Sequence, residues 1–527
     1  MRPCLLGPWG LIIFPFYLVV IVLISWVSRR RWQTANDYLN ASRSLPTWAA
    51  ALSLLAYNCG SIEVIGMSAM AAQYGVQAMH FYWAGGIPGM IFLGIVVLPV
   101  YMRTGARSLP QYLGMRFGTR VRLLNAGISM AGAAGFAGVA IYALAQVLHV
   151  LLGWNLPVGA LISASLVLVY VLVGGLRATI FTSVFQLFVM IAGLTPLFFL
   201  TVHFTAATFA QRPDRWHLWR PLPLVNPNAS LDCIGVAFGL GFVISFSYWC
   251  TDFVLIQRAL TARTVEAARK VPLLAGFGKL AFGPLIVLPG VAAPALLRGT
   301  HWLSFDESIP ALMSLTYGPT LLAVGTSALL ASLMAGLAGN VSGFSALWTE
   351  EIYRTCLRPD RSEQHYIRTG RIAVVACFVL ALLAAYTTLY FRDLMEFLQL
   401  IAAMLYAPVF AAVLAGLFSK RITERSALAG ILLGVFSAFA LQAGTWMKLI
   451  HFGSQMTSNF YAAMLSFVVT TLICVFYQGQ RNARREGELQ EPAFDKNMLH
   501  AVGLTPGLAV LSAILLACCL LLNILWW

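Results

Sequence analysis

Apolar runs long enough to cross a lipid bilayer follow one another through almost the whole of this chain. A helix of about 20 apolar residues spans the roughly 30 Å hydrocarbon layer of a membrane. Lipid offers the backbone no water to bond to, so each run must satisfy its own N–H and C=O groups as a helix. The runs lie near 9–27, 47–72, 77–101, 123–152, 156–175, 182–204, 233–256, 271–297, 321–349, 372–390, 396–418, 427–445, 459–477 and 507–526. They predict an all-α integral membrane protein of about fourteen transmembrane helices. Charged residues make up only 10% of the chain, against about 25% in an ordinary soluble domain, which leaves too little polar surface to dissolve a globular fold. The first run lacks a small-residue cleavage site and is read as a retained helix.

Loop charge sets the expected orientation. Arg29, Arg30, Arg31 and Arg43 follow the first run, and the loops after every second run are basic as well: Arg103, Arg107, Arg116, Arg120 and Arg122, then Arg177, then Arg258, Arg263, Arg269 and Lys270. The series continues through Arg354 to Arg371, Lys420 to Arg425, and Arg481 to Lys496. Basic loops stay on the cytoplasmic side, so both termini are expected on the outer side of a plasma (inner) membrane, which requires an even helix count. The net charge of +15 is distributed over these short loops and forms no basic stripe, which argues against a nucleic-acid partner. The nine cysteines contain no CxxC pair and sit mostly within apolar runs, so they indicate neither a zinc site nor a disulfide frame. Trp216, Trp219 and Trp302 mark the two longest outer connections as interfacial, and the Arg- and Glu-rich segment 480–498 reads as a solvated linker.

Three charges fall at membrane depth: Glu63 in the second run, Asp252 in the seventh and Lys279 in the eighth. Such residues face a bundle interior or a watered cavity, because a lipid-facing charge costs several kcal/mol. Two readings are open: a structural pair of Asp252 with Lys279, or a solute or proton site. In the second run, Asn58, Gly60 and Ser61 interrupt a Leu- and Ala-rich pattern with weak helix formers. A break there would expose backbone carbonyls, as transporters do at mid-membrane. Asp252 lies five runs later. Helices 2 to 6 and 7 to 11 then form two five-helix halves of opposite orientation, each beginning with an unusual helix. The expected organisation is an extra helix and loop (1–46), a first five-helix repeat (47–204), an outer loop (205–232), a second repeat (233–418) and C-terminal accessory helices (419–527).

Several ordered stretches carry a resemblance: LLAYNCGSIEVIGM (54–67), YVLVGGLRATIFTSVFQ (170–186), LIQRAL (255–260), KLAFGPLIVLPG (279–290), SLMAGLAGNVSGFSALWTEEIY (332–353) and FLQLIAAMLYAPVFAAVLAGLFSKR (397–421). Over residues 30 to 425 the sequence resembles the sodium:solute symporter family. That resemblance implies a LeuT-type inverted-repeat core and secondary active transport of a small polar solute, with no cofactor beyond a coupling ion. It implies that the backbone carbonyls of Ala56, Cys59 and Ser332 lie where the family holds sodium. Asn58, Glu63, Tyr82, Asp252, Lys279 and Gln399 fall on or near the central solute cavity, and Asn58, Lys279 and Gln399 keep residue types of the sugar-carrying branch.

The departures from that branch shape the expected chemistry. Sugar carriers place a glutamate where Tyr82 stands, a glutamine or histidine where Glu63 stands, and often an asparagine where Asp252 stands. Two hydroxyl residues that complete the sodium site correspond to Ala335 and Gly336, and an aspartate of the family is replaced by Ser183. Sodium wants several oxygen ligands, by the logic of hard cations. The expectation is therefore sodium symport through a weakened site, or proton-coupled transport through Glu63 or Asp252, or uncoupled transport. With two carboxylates near one cavity, an amine-bearing solute suits the site better than a plain hexose. His80, beside the aromatic run Phe81, Tyr82, Trp83, is a further candidate for solute or proton binding; packing is the competing reading.

Other classes leave weaker traces. A transporter-like sensor is the alternative, although such proteins usually carry a soluble output domain. A channel would need a ring-forming selectivity motif. No HExxH or GxSxG constellation points to an enzyme. The partners expected are the bilayer and a small solute; oligomeric state is not encoded in any motif.

Overall fold

The apolar runs fold as helices throughout the computed structural model, which describes residues 7–27, 34, 39, 45–211, 215–219, 223–226, 230–298, 304–388, 394–419, 421–477 and 503–527. Arg29 to Arg31, Arg43, Trp302, Lys420 and the 480–498 segment lie outside the described residues. Among the described residues, β-structure is confined to an isolated bridge between Leu45 and Ala262.

In chain order the long elements are α1 (Gly7–Val27), α2 (Thr47–Asn58), α3 (Ser61–Tyr74) and α4 (residues 75–103, opening in 3-10 geometry and passing through π-helical stretches). Then follow α5 (Thr119–Leu152), α6 (Leu156–Gln211), α7 (Gly235–Thr251), α8 (Phe253–Leu260) and α9 (Val265–Leu296). The remainder are α10 (Pro319–Leu357), α11 (Glu363–Thr388), α12 (Leu394–Phe418), α13 (Glu424–Trp446), α14 (Gln455–Phe476) and α15 (Pro506–Leu525). Among the described residues, ten helices are long and apolar enough to cross a membrane, or eleven when the bent pair α7 and α8 is taken as one span. Pro15–Val27 and Leu156–Leu172 are shorter apolar helices. The sequence shows fourteen apolar runs, and the difference arises where helices are joined or cut. Helix α3 runs into α4 through a turn at Gly75 (φ 72°), and α6 continues past Gly175 (φ 62°).

Burial ranks the helices. In α10, 89% of the best apolar window is buried, against 22% in α15, so α10 is the axis of the bundle and α15 a peripheral element. Helix α10 packs against α1, α3, α5, α6 and α11, and its glycines and alanines permit close approach, as in membrane helix pairs generally. The exposed side chains of α13, such as Leu432, Phe436 and Phe439, form a face suited to lipid.

Candidate solute and ion site

The site begins at the two places where spanning helices break. Helix α2 ends at Asn58 and α3 starts at Ser61, with no side chain capping the new helix. At the break the Cys59 N–H donates to the Leu55 carbonyl (2.7 Å) and the Gly60 N–H to the Tyr57 carbonyl (3.3 Å). Gly60 thus bonds to the carbonyl of Tyr57, and the Ala56 carbonyl is left without its usual helical partner. Gly60 is also where α10 comes closest: a Cβ there would lie 2.8 Å from the Tyr57 carbonyl and 3.1 Å from that of Ser332. Only glycine allows this approach, which brings the Ser332 carbonyl beside the break. The Ser332 hydroxyl is buried without a hydrogen-bond partner. Ala335 and Gly336, on the next turn of α10, are buried and carry no side-chain oxygen.

A lysine from α9 binds both sides of this break. Lys279 Nζ donates to Asn58 Oδ1 at 2.5 Å and to Glu63 Oε1, with which it forms an ion pair. Its ammonium also lies over the rings of Tyr82 (4.8 Å) and Trp249 (5.4 Å), a favourable electrostatic placement. Gly86 makes room for the lysine stem, since a Cβ there would sit 2.8 Å from Lys279 Cε. All four groups are buried: Lys279 is 3% exposed, Asn58 5%, Glu63 9% and Tyr82 1%. A charge pair removed from water is tolerated when each ion keeps further polar partners. Asn58 supplies one for the ammonium and itself donates to the Tyr248 hydroxyl at 3.4 Å.

Beside this cluster lies a cavity of about 90 Å3. Asn58, Glu63, Ser245, Lys279 and Gln399 form its polar wall, while Phe81, Phe136, Tyr248 and Trp249 supply aromatic surface and Met67 and Met395 pliable apolar surface. Two acceptors on lining residues, Glu63 Oε2 and Gln399 Oε1, are buried without hydrogen-bond partners. Concave, mostly apolar spaces with a few convergent polar groups are the usual form of a small-molecule site.

The second break is built differently. Helices α7 and α8 meet at 53°, and Asp252 between them has extended backbone (φ −65°, ψ 119°). Its Oδ1 accepts from the Leu255 N–H at 2.9 Å, capping α8, and its Oδ2 accepts from the Tyr406 hydroxyl at 3.2 Å. Asp252 is 2% exposed and is not among the cavity-lining residues. The structural pair that the sequence left open, Asp252 with Lys279, is replaced by Glu63 with Lys279. A site with two carboxylates facing one solute is not what forms: one carboxylate and one ammonium face the cavity.

The remaining sequence candidates divide as follows. Tyr82 packs beneath the Lys279 ammonium. His80 points away from the cavity: its Nε2 lies 2.7 Å from the Leu218 carbonyl and its ring meets the Trp219 edge at 4.3 Å. Trp83 packs against Trp526 of the C-terminal segment. The Ser183 hydroxyl donates to the Thr179 carbonyl of its own helix at 2.7 Å. Phe136, Tyr248 and Trp249 were missed by sequence reasoning. Each had a signal: Phe136 is a lone aromatic in the small-residue run AGAAGFAGVA, and Tyr248 and Trp249 stand one turn before the Asp252 break. Among the described residues, no group of three or more His, Cys, Asp and Glu side chains is arranged to hold a metal ion.

Comparison with known proteins supplies the context for this geometry. The family model of the sodium:solute symporter family matches residues 38–434. The chain is 28% identical over 496 residues to a sodium/glucose cotransporter of Vibrio parahaemolyticus, covering 88% of this chain and 90% of that one. Sodium/glucose cotransporter 4 of Mus musculus is 27% identical over 477 residues, covering 82% of this chain and 68% of its own length. Among solved structures, the substrate-bound outward-open state of a Na+-coupled sialic acid symporter superposes with a TM-score of 0.74 at 18% identity, over 89% of this chain and 98% of the other. The all-helical bundle is therefore a LeuT-like transporter fold and its relatives are transporters, not enzymes. A broken-helix cavity of this form, together with a family match over most of the chain, leads to one conclusion: this protein belongs to the sodium:solute symporter family.

Proposed function

We propose that the chain carries a small, neutral, hydroxyl-rich solute across the plasma membrane by alternating access, with the cavity between α2, α3, α9 and α12 as its central site. The observation that carries this reading is the charge balance of the cavity, where the Glu63 carboxylate is matched by the Lys279 ammonium. A solute of zero net charge fits it without an unpaired ion in a dry site. Glu63 Oε2 and Gln399 Oε1 offer acceptors to hydroxyl groups, and the rings of Trp249 and Phe81 offer faces against which a sugar or polyol ring can lie. The curated relatives named above are sodium/glucose cotransporters. In this reading the repeats 47–204 and 233–418 rock around the two breaks, with both chain termini on the outer side.

Sodium is the coupling ion of the proposal and moves as cargo. The Ala56 carbonyl freed at the break, the carbonyls of Cys59 and Ser332, and the unpartnered Ser332 hydroxyl are the oxygens that would hold it. A second reading, uncoupled or proton-driven transport, draws on the missing oxygens at Ala335 and Gly336. Proteoliposome uptake of labelled glucose, driven separately by a sodium gradient and a pH gradient, tests both. Uptake driven by inward sodium supports the first reading. Equal uptake with sodium or choline sinks sodium coupling, and a response to pH alone points to protons. Ala335→Ser restores one hydroxyl to the site and is expected to lower the sodium concentration for half-maximal uptake about three- to tenfold, the effect of one added hydrogen-bond-strength contact.

A further inference from the structure

We infer that Glu63 is a built-in anion that closes this solute site to carboxylate-bearing solutes, and that removing its charge opens the site to them. The inference rests on the reading of the cavity as the solute site and adds to it the residue that sorts solutes by charge.

Among the described residues that line the cavity, Lys279 is the only cationic one. An ammonium has three protons to donate. Two are engaged by Asn58 Oδ1 and Glu63 Oε1, and the aromatic faces of Tyr82 and Trp249 surround the same nitrogen. An incoming carboxylate therefore finds no free cation. It also meets the second oxygen of Glu63, buried and without a hydrogen-bond partner, and the Gln399 Oε1 acceptor. The Glu63 oxygen repels an anion, and both oxygens are satisfied by an O–H or N–H. A solute anion that meets a like charge and no free counter-ion in a desolvated site is left unpaired, a general device by which a binding site excludes a wrong ligand.

The position of Glu63 makes the filter local. It stands in the first turn of α3, so its carboxylate also answers the exposed N–H groups of that half-helix. Without the charge of Glu63, Lys279 keeps its Asn58 contact and presents a buried ammonium at the cavity wall, a ready partner for a solute carboxylate. The change from carboxylate to amide keeps nearly the same shape, removes the charge and exchanges one acceptor oxygen for an N–H donor.

Matched pairs of neutral sugar and sugar acid test this on the purified full-length protein: glucose with glucuronate, galactose with galacturonate. Affinities come from ligand-dependent melting temperature, because a ligand that binds the native state raises apparent stability. The wild type is expected to bind each neutral sugar at least tenfold more tightly than its acid. Glu63→Gln is expected to gain affinity for the acids by about ten- to hundredfold, the range of a charge-assisted hydrogen bond, and Glu63→Gln with Lys279→Met is expected to lose that gain. Glu63→Ala repeats the measurement without an amide to compete for the lysine; either single variant that retains a cooperative melt gives the answer. Acids binding the wild type as tightly as their neutral partners, or no gain of acid affinity in Glu63→Gln and Glu63→Ala, overturns the inference. Acids gained by the variants while neither neutral sugar binds the wild type supports the charge filter and refutes the hydroxyl-rich solute.

Discussion

The two broken helices solve the same problem in opposite ways. At Asp252 the break is self-contained: the side chain caps the helix that follows it and takes a second hydrogen bond from Tyr406. At Asn58 to Ser61 no side chain caps α3, and the polar residues on either side, Asn58 and Glu63, turn to a lysine from a third helix. One break is capped by its own residue, with Tyr406 adding a second bond, and the other is held by a lysine from a remote helix. Polar groups that satisfy themselves leave little for a ligand, whereas groups held by a single shared ammonium can exchange partners with one. The contrast explains why the cavity opens beside the first break and why Asp252 is absent from its lining.

Substitutions can break or sharpen this contrast. The largest effect is expected for Lys279→Met. It strands the Glu63 carboxylate in a buried site, a change that typically costs about 3 to 5 kcal/mol. Melting temperature in detergent should fall markedly and solute uptake should be lost. Adding Glu63→Gln to Lys279→Met should recover much of the melting temperature but not the uptake. If the double variant melts no higher than the single one, the first break is not held by this pair.

Asp252→Ala should have an intermediate effect confined to stability. Loss of a helix cap typically costs about 1 to 2 kcal/mol, and the Tyr406 hydroxyl loses its acceptor as well. Asp252→Asn keeps an acceptor for the Leu255 N–H and should restore most of the loss. Solute affinity, measured by ligand-dependent melting, should stay within about twofold of wild type in both. A tenfold change in affinity with unaltered melting would place Asp252 in the solute site and erase the distinction between the two breaks.

The smallest effect belongs to Gln399→Ala. Its amide oxygen has no hydrogen-bond partner in the protein, so its removal should leave the unliganded melting temperature unchanged and weaken solute binding about three- to tenfold, the worth of one hydrogen bond. Unchanged uptake kinetics in a well-expressed variant would remove Gln399 from the site.

Membrane residence, the order of the helices and the break at Asn58 to Ser61 were legible in the chain itself, whereas Asp252 stood out only as a charge at membrane depth. Apolar run length and the weak helix formers at Asn58, Gly60 and Ser61 act on neighbouring residues, and such local effects leave local marks. Asn58, Glu63, Lys279 and Gln399 were also legible as candidates, the first three because an ionisable or breaking residue at membrane depth is conspicuous, and Gln399 through a resemblance. Only the tertiary structure decided which of them meet. Lys279 is 216 positions from Glu63, yet it pairs there and not with Asp252, which lies much nearer in sequence. The reason is geometric. Gly60 and Gly86 set how closely α10 and the lysine stem approach the first break, while the Asp252 carboxylate is already occupied by its own helix and by Tyr406. Sequence patterns report which groups must be buried, but the faces that helices turn toward one another, and the hydrogen bonds those faces leave open, are properties of packing.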